Sequence, residues 1–498
     1  MTGARESSGR DRAEEQQRAF TAAFAGAGLD VEALWTEYFG IGGDAGFLEV
    51  DAYVHGMTML SARDRDMLAH VVNEHLDRRT ETKRATYSRP FRNPRPTTPP
   101  LSALVELVDG AHLAAPDRLP VIAHAAGTAL GVELTVHLVD YEQRALRPAG
   151  RPGAPALDLD TTTAGRAFRE VAALSSTEQA PTLWMPLLDG IERLGVLEIG
   201  VPEPEDLRDP GLRAHCRWVS RLLGHLVTIT THYGDGLDRA RLTRPRTVPA
   251  ELLWSLLPPR TAGVGDVVVS AAVEPRYELR GDVFDYAFSE TTAQLLILDA
   301  AGTCAELIAA TALAAYRSVR HAGGGLLDQA RAIEEELVDR FGAGPLATAV
   351  LAELDLDSGR LRYVNAGHTE PLVMRGGTMA DPLGAGQRAP LGLGAAAGVV
   401  GEEKLHRDDW LVLYTDGVTG AADPGGDRFG LRRLTELLRR EASSGHPPPE
   451  TVRQVITAVG AHHRTPLSED ATVLLVRKVD RATAPRRPED ERRTAIDR

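Results

Sequence analysis

Residues 410–418 read WLVLYTDGV, an apolar run that ends abruptly in Thr-Asp-Gly. A run this short, bounded by a turn signal, reads as an apolar strand. Taken singly, an Asp-Gly pair after a strand is most often an ordinary turn. The same arrangement recurs in three other places. RGDVFD (280–285) follows the strand-like VVVSAAVEPRYEL, LLILDAAG (295–302) carries an Asp at the end of its apolar run, and SEDATVLLVR (468–477) opens its strand on Glu469 and Asp470. Acids at the ends of buried strands are costly to desolvate unless a cation repays them. Asp282, Asp285, Asp299, Asp416, Glu469 and Asp470 are therefore candidates to converge on one cavity, and hard divalent ions prefer such oxygen donors.

Working outward, apolar runs predict strands at 266–276, 293–299, 347–355, 360–365, 371–375, 410–415 and 471–477. They surround two helical pairs, the first at 304–320 and 326–341. This order predicts two antiparallel sheets flanked by helices, an α-β-β-α sandwich within an α+β multidomain chain.

In sequence order, RGDVFD, LDAAG, YVNAGHTEP (363–371), LYTDGV and EDAT resemble the bacterial, sporulation-phosphatase-like branch of the type 2C protein serine/threonine phosphatases. That branch reads GGDxYD, DVSGHG, VNAGHxP, LYTDGV and DDxT, and the resemblance covers residues 261–478. It implies a metal-dependent phosphoprotein hydrolase with two Mn2+ or Mg2+ ions. Asp282, Asp299 and Asp416 match its catalytic metal aspartates, with Asp299 bridging the two ions, and the backbone carbonyl of Ala300 would hold one of them. Glu469 stands where the pattern has its metal-binding Asp, so the fourth acid is open between Glu469 and Asp470. Gly302 is kept, but the His-Gly that should follow is Thr303-Cys304. Thr303 reads as a cap of the next helix and Cys304 as a packing residue of it. Asn365, Gly367 and His368 read as turn formers between two strands. The resemblance further implies a phosphorylated protein substrate, with an anti-sigma-factor antagonist as first choice. The rival reading is a regulatory binding protein that keeps the fold with poor turnover.

The rest of the chain reads as attachments to that domain. Residues 1–80 are helical in pattern, 81–100 form a basic, proline-rich linker, and 479–498 a charged tail with no apolar period, expected to be disordered. Between 101 and 232 come two helices (LSALVELVDGAHL, LPVIAHAAGTALG), a strand (VELTVHLVDY), a hairpin (APTLWMPLLDG with RLGVLEIGVPE) and a long helix. This stretch resembles a GAF-type sensory domain, which implies a small-molecule ligand or a homodimer, with a ligand-free structural domain equally open. Residues 233–260, with the short helix AELLWSLL, connect it to the phosphatase-like region.

Composition excludes several other functions. A formal charge of −14 over 498 residues argues against nucleic acid as a partner. The two cysteines, Cys216 and Cys304, have no metal-ligand spacing and imply no disulfide framework. The polar amino terminus lacks the apolar stretch of a secretory signal, and the most apolar helix-like segment, 305–316, is too short to cross a bilayer, which predicts a cytoplasmic protein without a membrane partner.

Overall fold

The computed structural model describes residues 3–78, 85, 98–151, 153–178, 180–344, 346–379, 382–394, 398–464, 467 and 469–479. The linker expected at 81–100 lies outside them except at residues 85 and 98–100, and the tail expected at 479–498 except at Val479. The chain divides into two compact units, Met1–Pro96 and Thr97–Arg498.

The first unit is a set of four helices, α1 (Gly3–Ala27), α2 (Val31–Gly40), α3 (Phe47–Val54) and α4 (Ala62–Arg78). Their apolar stripes close on a core that includes Phe20, Leu34, Tyr38, Tyr53, Leu68 and Val72. Asp30 caps α2 by accepting from the Ala33 N–H at 2.7 Å, and Tyr38 donates its hydroxyl to Asp64 at 2.6 Å.

The second unit begins with α5 (Leu101–Ala111) and α6 (Leu119–Leu130). A six-stranded antiparallel sheet comes next, built from β1 (Glu133–Val139), β2 (Ala145–Pro148), β3 (Leu157–Asp158), β4 (Leu174–Ser176), β5 (Thr182–Asp189) and β6 (Glu192–Gly200), in the order β3-β2-β1-β6-β5-β4. β5 and β6 form the hairpin that the sequence predicts. One face of the sheet packs on α5, α6 and α8 (Pro210–Thr231), and the other on α7 (Thr163–Glu170). Helices α9 (Gly236–Arg241) and α10 (Val248–Leu256) then lead to the C-terminal sandwich, with Trp254 donating its indole N–H to the Arg276 carbonyl at 2.7 Å.

The sandwich has two six-stranded sheets. The first contains β9 (Asp282–Phe288), β10 (Thr292–Ala300), β11 (Ala347–Asp355), β12 (Arg360–Ala366), β15 (Gln387–Arg388) and β16 (Gly401–Lys404). The second contains β7 (Thr261–Val264), β8 (Val267–Glu274), β13 (Leu372–Arg375), β14 (Thr378–Met379), β17 (Trp410–Tyr414) and β18 (Ala471–Lys478). All pairings are antiparallel except β12 with β15, so the first sheet is mixed where a purely antiparallel one is predicted. Helices α11 (Ala305–His321) and α12 (Leu326–Phe341) cover the first sheet. Helix α13 (Asp416–Gly420) comes after β17, and α14 (Gly430–Ser444) with α15 (Pro448–His463) cover the second.

The period of two explains why these strands read as unbroken apolar runs. In β10, Leu295 and Ile297 enter the core between the sheets, while Leu296 and Leu298 meet the helices. In β17 the same holds for Leu411 and Leu413 against Val412 and Tyr414, and in β18 for Leu474 and Val476 against Val473 and Leu475. β9 escapes the sequence reading because its run DVFDYAF is broken by two acids. Cys304, read as a packing residue, is instead exposed at the N-cap of α11; the N-cap is Cys304 rather than Thr303, and no side chain caps the helix. No described helix is long and apolar enough to cross a membrane.

Candidate metal centre

The alternation that builds the core also places the acids. Counting in twos from the inward-facing Phe284 leads back to Asp282, and from Leu295 and Ile297 on to Asp299. From Leu413 it leads on to Thr415, and from Leu474 back to Thr472. All four lie on inner faces at the same end of the sandwich, where the side chains of the two sheets meet. Asp282 and Asp299 are direct cross-strand partners in the β9–β10 ladder.

Asp282 is 1% exposed. Its Oδ2 accepts from the Thr415 hydroxyl at 2.8 Å and the Thr472 hydroxyl at 2.6 Å, so a carboxylate of the first sheet is held by two hydroxyls of the second. Asp470 is also buried. Its Oδ2 accepts three backbone N–H groups, from Arg280, Gly281 and Asp282, at 2.7, 2.8 and 3.2 Å, and so moulds the loop that delivers Asp282. Its Oδ1 is buried with no hydrogen-bond partner. Asp416 and Glu469 are exposed beside this cluster, each close enough for its charge to act on Asp299.

Two glycines permit the approach. A Cβ on Gly281 would stand 2.4 Å from the Ala300 carbonyl oxygen, and one on Gly417 2.0 Å from the carbonyl oxygen of Asp470. Only residues without a side chain bring the RGD loop against the end of β10, and the Asp416 turn against the start of β18.

The electrostatics are those of crowded like charge. Burial, then repulsion from Asp299 and Asp470, pushes the Asp282 carboxyl well above the usual range. Burial, then the charges of Asp416 and Asp470, pushes Asp299 up to about 7, although a hydrogen bond with Asp282 partly offsets this. Burial likewise raises Asp470, against the pull of the three backbone N–H groups. Among the described residues no group of three or more His, Cys, Asp and Glu side chains forms a finished metal cage. The residues nonetheless fit a hard divalent ion. The carboxylates repel one another, one buried oxygen lacks any donor, and an ion such as Mg2+ keeps several waters and needs few protein ligands.

Asp285, three residues from Asp282, lies on the opposite face of β9. It accepts from Arg317 at 2.8 and 3.0 Å and from Arg320 at 2.8 Å, both on α11, and takes no part in the cluster. Thr415 and Thr472 are site residues that the sequence reading passes over. Their signal is a hydroxyl in the inward phase of an otherwise apolar strand, next to an acid in LYTDGV and close to one in EDAT.

Residues 289–479 match the profile of the family described as stage II sporulation protein E, SpoIIE. The C-terminal region is thus similar to the SpoIIE family. A stretch of 98 residues is 30% identical to Protein IcfG of Synechocystis, covering 20% of this chain and 16% of IcfG, so the match spans about a sixth of that relative. The RsbU and RsbW domains of a Mycobacterium tuberculosis protein are similar at 23% identity, over 42% of this chain and 61% of that one, with a TM-score of 0.37. The PP2C domain of SiaA from Pseudomonas aeruginosa is also similar at 23% identity, over 42% of this chain and 85% of that one, with a TM-score of 0.38. The catalytic domain of the serine/threonine phosphatase PstP, solved with two manganese ions, is 14% identical over 43% of this chain and all of that one, with a TM-score of 0.30. A SpoIIE domain from Bacillus subtilis, itself described as a PP2C phosphatase domain, is similar at 18% identity over 43% of this chain and 64% of that one, with a TM-score of 0.37.

Proposed function

We propose that the SpoIIE-like domain hydrolyses phosphoserine or phosphothreonine on a protein in a reaction that depends on manganese or magnesium. The observation that carries this reading is the convergence of Asp282, Asp299 and Asp470 on one end of the sandwich, with their carboxyls raised by burial and mutual repulsion and the Asp470 Oδ1 unpartnered. Asp282, Asp299 and Asp416, with the Ala300 carbonyl, would hold two ions. Between Glu469 and Asp470 the unpartnered buried oxygen favours Asp470 as the fourth acid, with Glu469 at the solvent edge.

If bound at these acids, two such ions would supply water activation and charge neutralisation for phosphoryl hydrolysis. The chain's own part is to hold the acids in place. Thr415 and Thr472 fix one oxygen of Asp282, so that only the other is free to bind. Asp299, whose carboxyl is raised by burial and then by its acidic neighbours, would ionise more readily beside a cation. No Cys or Ser nucleophile is required.

The SpoIIE resemblance supports a phosphorylated anti-sigma-factor antagonist as substrate. The GAF-like region is proposed to control the rate, supported by its buried charged joint with α15. Arg193 of β6 donates to Glu450 at 3.1 Å, and Arg453 donates to Glu450 at 2.8 and 3.0 Å and to Asp160 at 2.6 Å.

The test is a hydrolysis assay of the full-length protein with manganese, on a phosphorylated antagonist and on p-nitrophenyl phosphate. Asp299→Asn should lower kcat on the order of a thousandfold, the loss of several kcal/mol of charge stabilisation. Metal-loaded protein that hydrolyses neither substrate, or an Asp299→Asn variant as fast as wild type, refutes the phosphatase. For control through the joint, Arg193→Ala should change kcat at saturating manganese, and an unchanged kcat refutes it.

A further inference from the structure

The segment between β12 and β13 is the place where the chain leaves the first sheet for the second, and it does so at the acidic end of the sandwich. Asn365, at the end of β12, accepts from the His368 N–H at 2.7 Å and donates to the His368 carbonyl at 3.0 Å, which locks the turn. The imidazole is not at the surface, as a turn histidine would be, but buried. Its Nδ1 lies 2.7 Å from the Thr348 hydroxyl. Thr348 is the direct cross-strand partner of Asp299 in the β10–β11 ladder and shares its inward phase. On the other side the ring is near the Tyr414 backbone, the residue before Thr415 and Asp416, whose carbonyl accepts the Thr369 hydroxyl, and the ring Nε2 itself is buried without a hydrogen-bond partner. Burial pushes the His368 ring down to about 4, so at neutral pH it is an uncharged spacer with a donor and an acceptor on opposite sides.

Resting on the phosphatase reading, we propose that His368 is a positioning residue for the metal centre: its ring is wedged between Thr348 and the end of β17, and sets the separation between Asp299 of one sheet and Asp416 of the other. The need for such a spacer comes from the topology. The acids belong to two sheets joined elsewhere by apolar packing, which tolerates sliding, whereas ligands for a pair of ions must be held within fractions of an ångström. Asp282 is tied across the sheets by Thr415 and Thr472. Asp299 reaches the second sheet through its hydrogen bond with Asp282, and its cross-strand neighbour Thr348 bonds the His368 ring, which lies near the Tyr414 backbone at the end of β17.

The experiment uses the full chain. Manganese affinity is measured by titration calorimetry, and kcat and KM for p-nitrophenyl phosphate at saturating manganese, for wild type, His368→Ala, His368→Gln and Thr348→Val. Unfolding temperature in EDTA is followed in parallel. His368→Ala should weaken manganese binding about tenfold, the usual scale for residues that orient metal ligands, lower kcat and leave KM unchanged. His368→Gln, which keeps a donor and an acceptor, should recover most of the affinity. Thr348→Val should shift affinity in the same direction, and the double variant should be no worse than His368→Ala alone. Should His368→Ala fail to fold, Thr348→Val, close to it in shape, carries the test. Wild-type binding and turnover with His368→Ala or Thr348→Val indistinguishable from wild type overturns the positioning role alone. A wild type that neither binds manganese nor hydrolyses overturns it together with the phosphatase.

Discussion

Two clusters of buried charge in the second unit make opposite use of the same desolvation. At the joint between β6 and α15, Glu450 is fully buried and Arg193 is 2% exposed, and each has opposite charge at hydrogen-bond distance. Burial alone would raise Glu450, but the bonds from Arg453 and the charge of Arg193 outweigh it and hold the carboxyl below its ordinary value. At the end of the sandwich, Asp282, Asp299 and Asp470 are crowded among one another and all three are raised. The first cluster is balanced in charge within the chain, although Nε and Nη2 of Arg193 are buried without hydrogen-bond partners. The second leaves like charges crowded together and one buried oxygen unpartnered, and this difference marks it as a candidate cation site made of the same residue types.

The comparison can be broken at either cluster. The largest effect on stability is expected at the joint. Glu450→Ala should cost about 3–5 kcal/mol in denaturant unfolding of the full chain, because buried Arg193 loses its hydrogen-bonded counter-charge and Arg453 keeps only Asp160 as an acidic partner. A loss no greater than that of a surface variant would show that the network is not what balances the joint.

The next effect is a pH slope. Asp282, Asp299 and Asp470 have folded-state pKa values above their unfolded ones, so their favourable contribution is complete below about pH 4, the ordinary carboxyl value, and is lost as pH rises through about 7, where Asp299 ionises. The metal-free protein should therefore lose roughly a few kcal/mol between pH 5 and pH 8. Saturating manganese should flatten the slope, and Asp299→Asn should reduce it. Calorimetric scans in EDTA check this, and stability that rises over the same range would contradict the crowding of like charge. The smallest effect is expected at the exposed pair Arg340–Glu336 on α12, 2.8 Å apart. Arg340→Ala should leave the unfolding midpoint within the scatter of repeat measurements, which sets the baseline for the other two.

The apolar runs that form β10, β17 and β18 are legible in sequence because both faces of these strands are buried, and the acids at their ends stand out against that background. What stayed hidden depends on partners distant in sequence. β9 carries two acids whose burial is repaid by Thr415, Thr472, Arg317 and Arg320, none of them near it in the chain, so its local pattern argues against a strand. Glu469 and Asp470 are adjacent acids that no pattern separates; in the structure one is exposed and the other caps a loop about 190 residues away in sequence. His368 reads as a turn former and its backbone is in a turn, but the contacts of its ring are decided by the crossover between sheets.

The hydroxyls on Asp282 have a further consequence for ion choice. With Oδ2 taken up by Thr415 and Thr472, Asp282 can offer a cation one oxygen, and Asp470, whose Oδ2 is taken up by three backbone N–H groups, can also offer one. Calcium fills its large coordination shell readily from carboxylates that chelate through both oxygens, whereas magnesium-sized ions accept single oxygens and complete an octahedron with water. Were a cation held there, two threonine hydroxyls and a loop backbone would favour the smaller ion without touching it, by limiting how many lone pairs each acid has left to give.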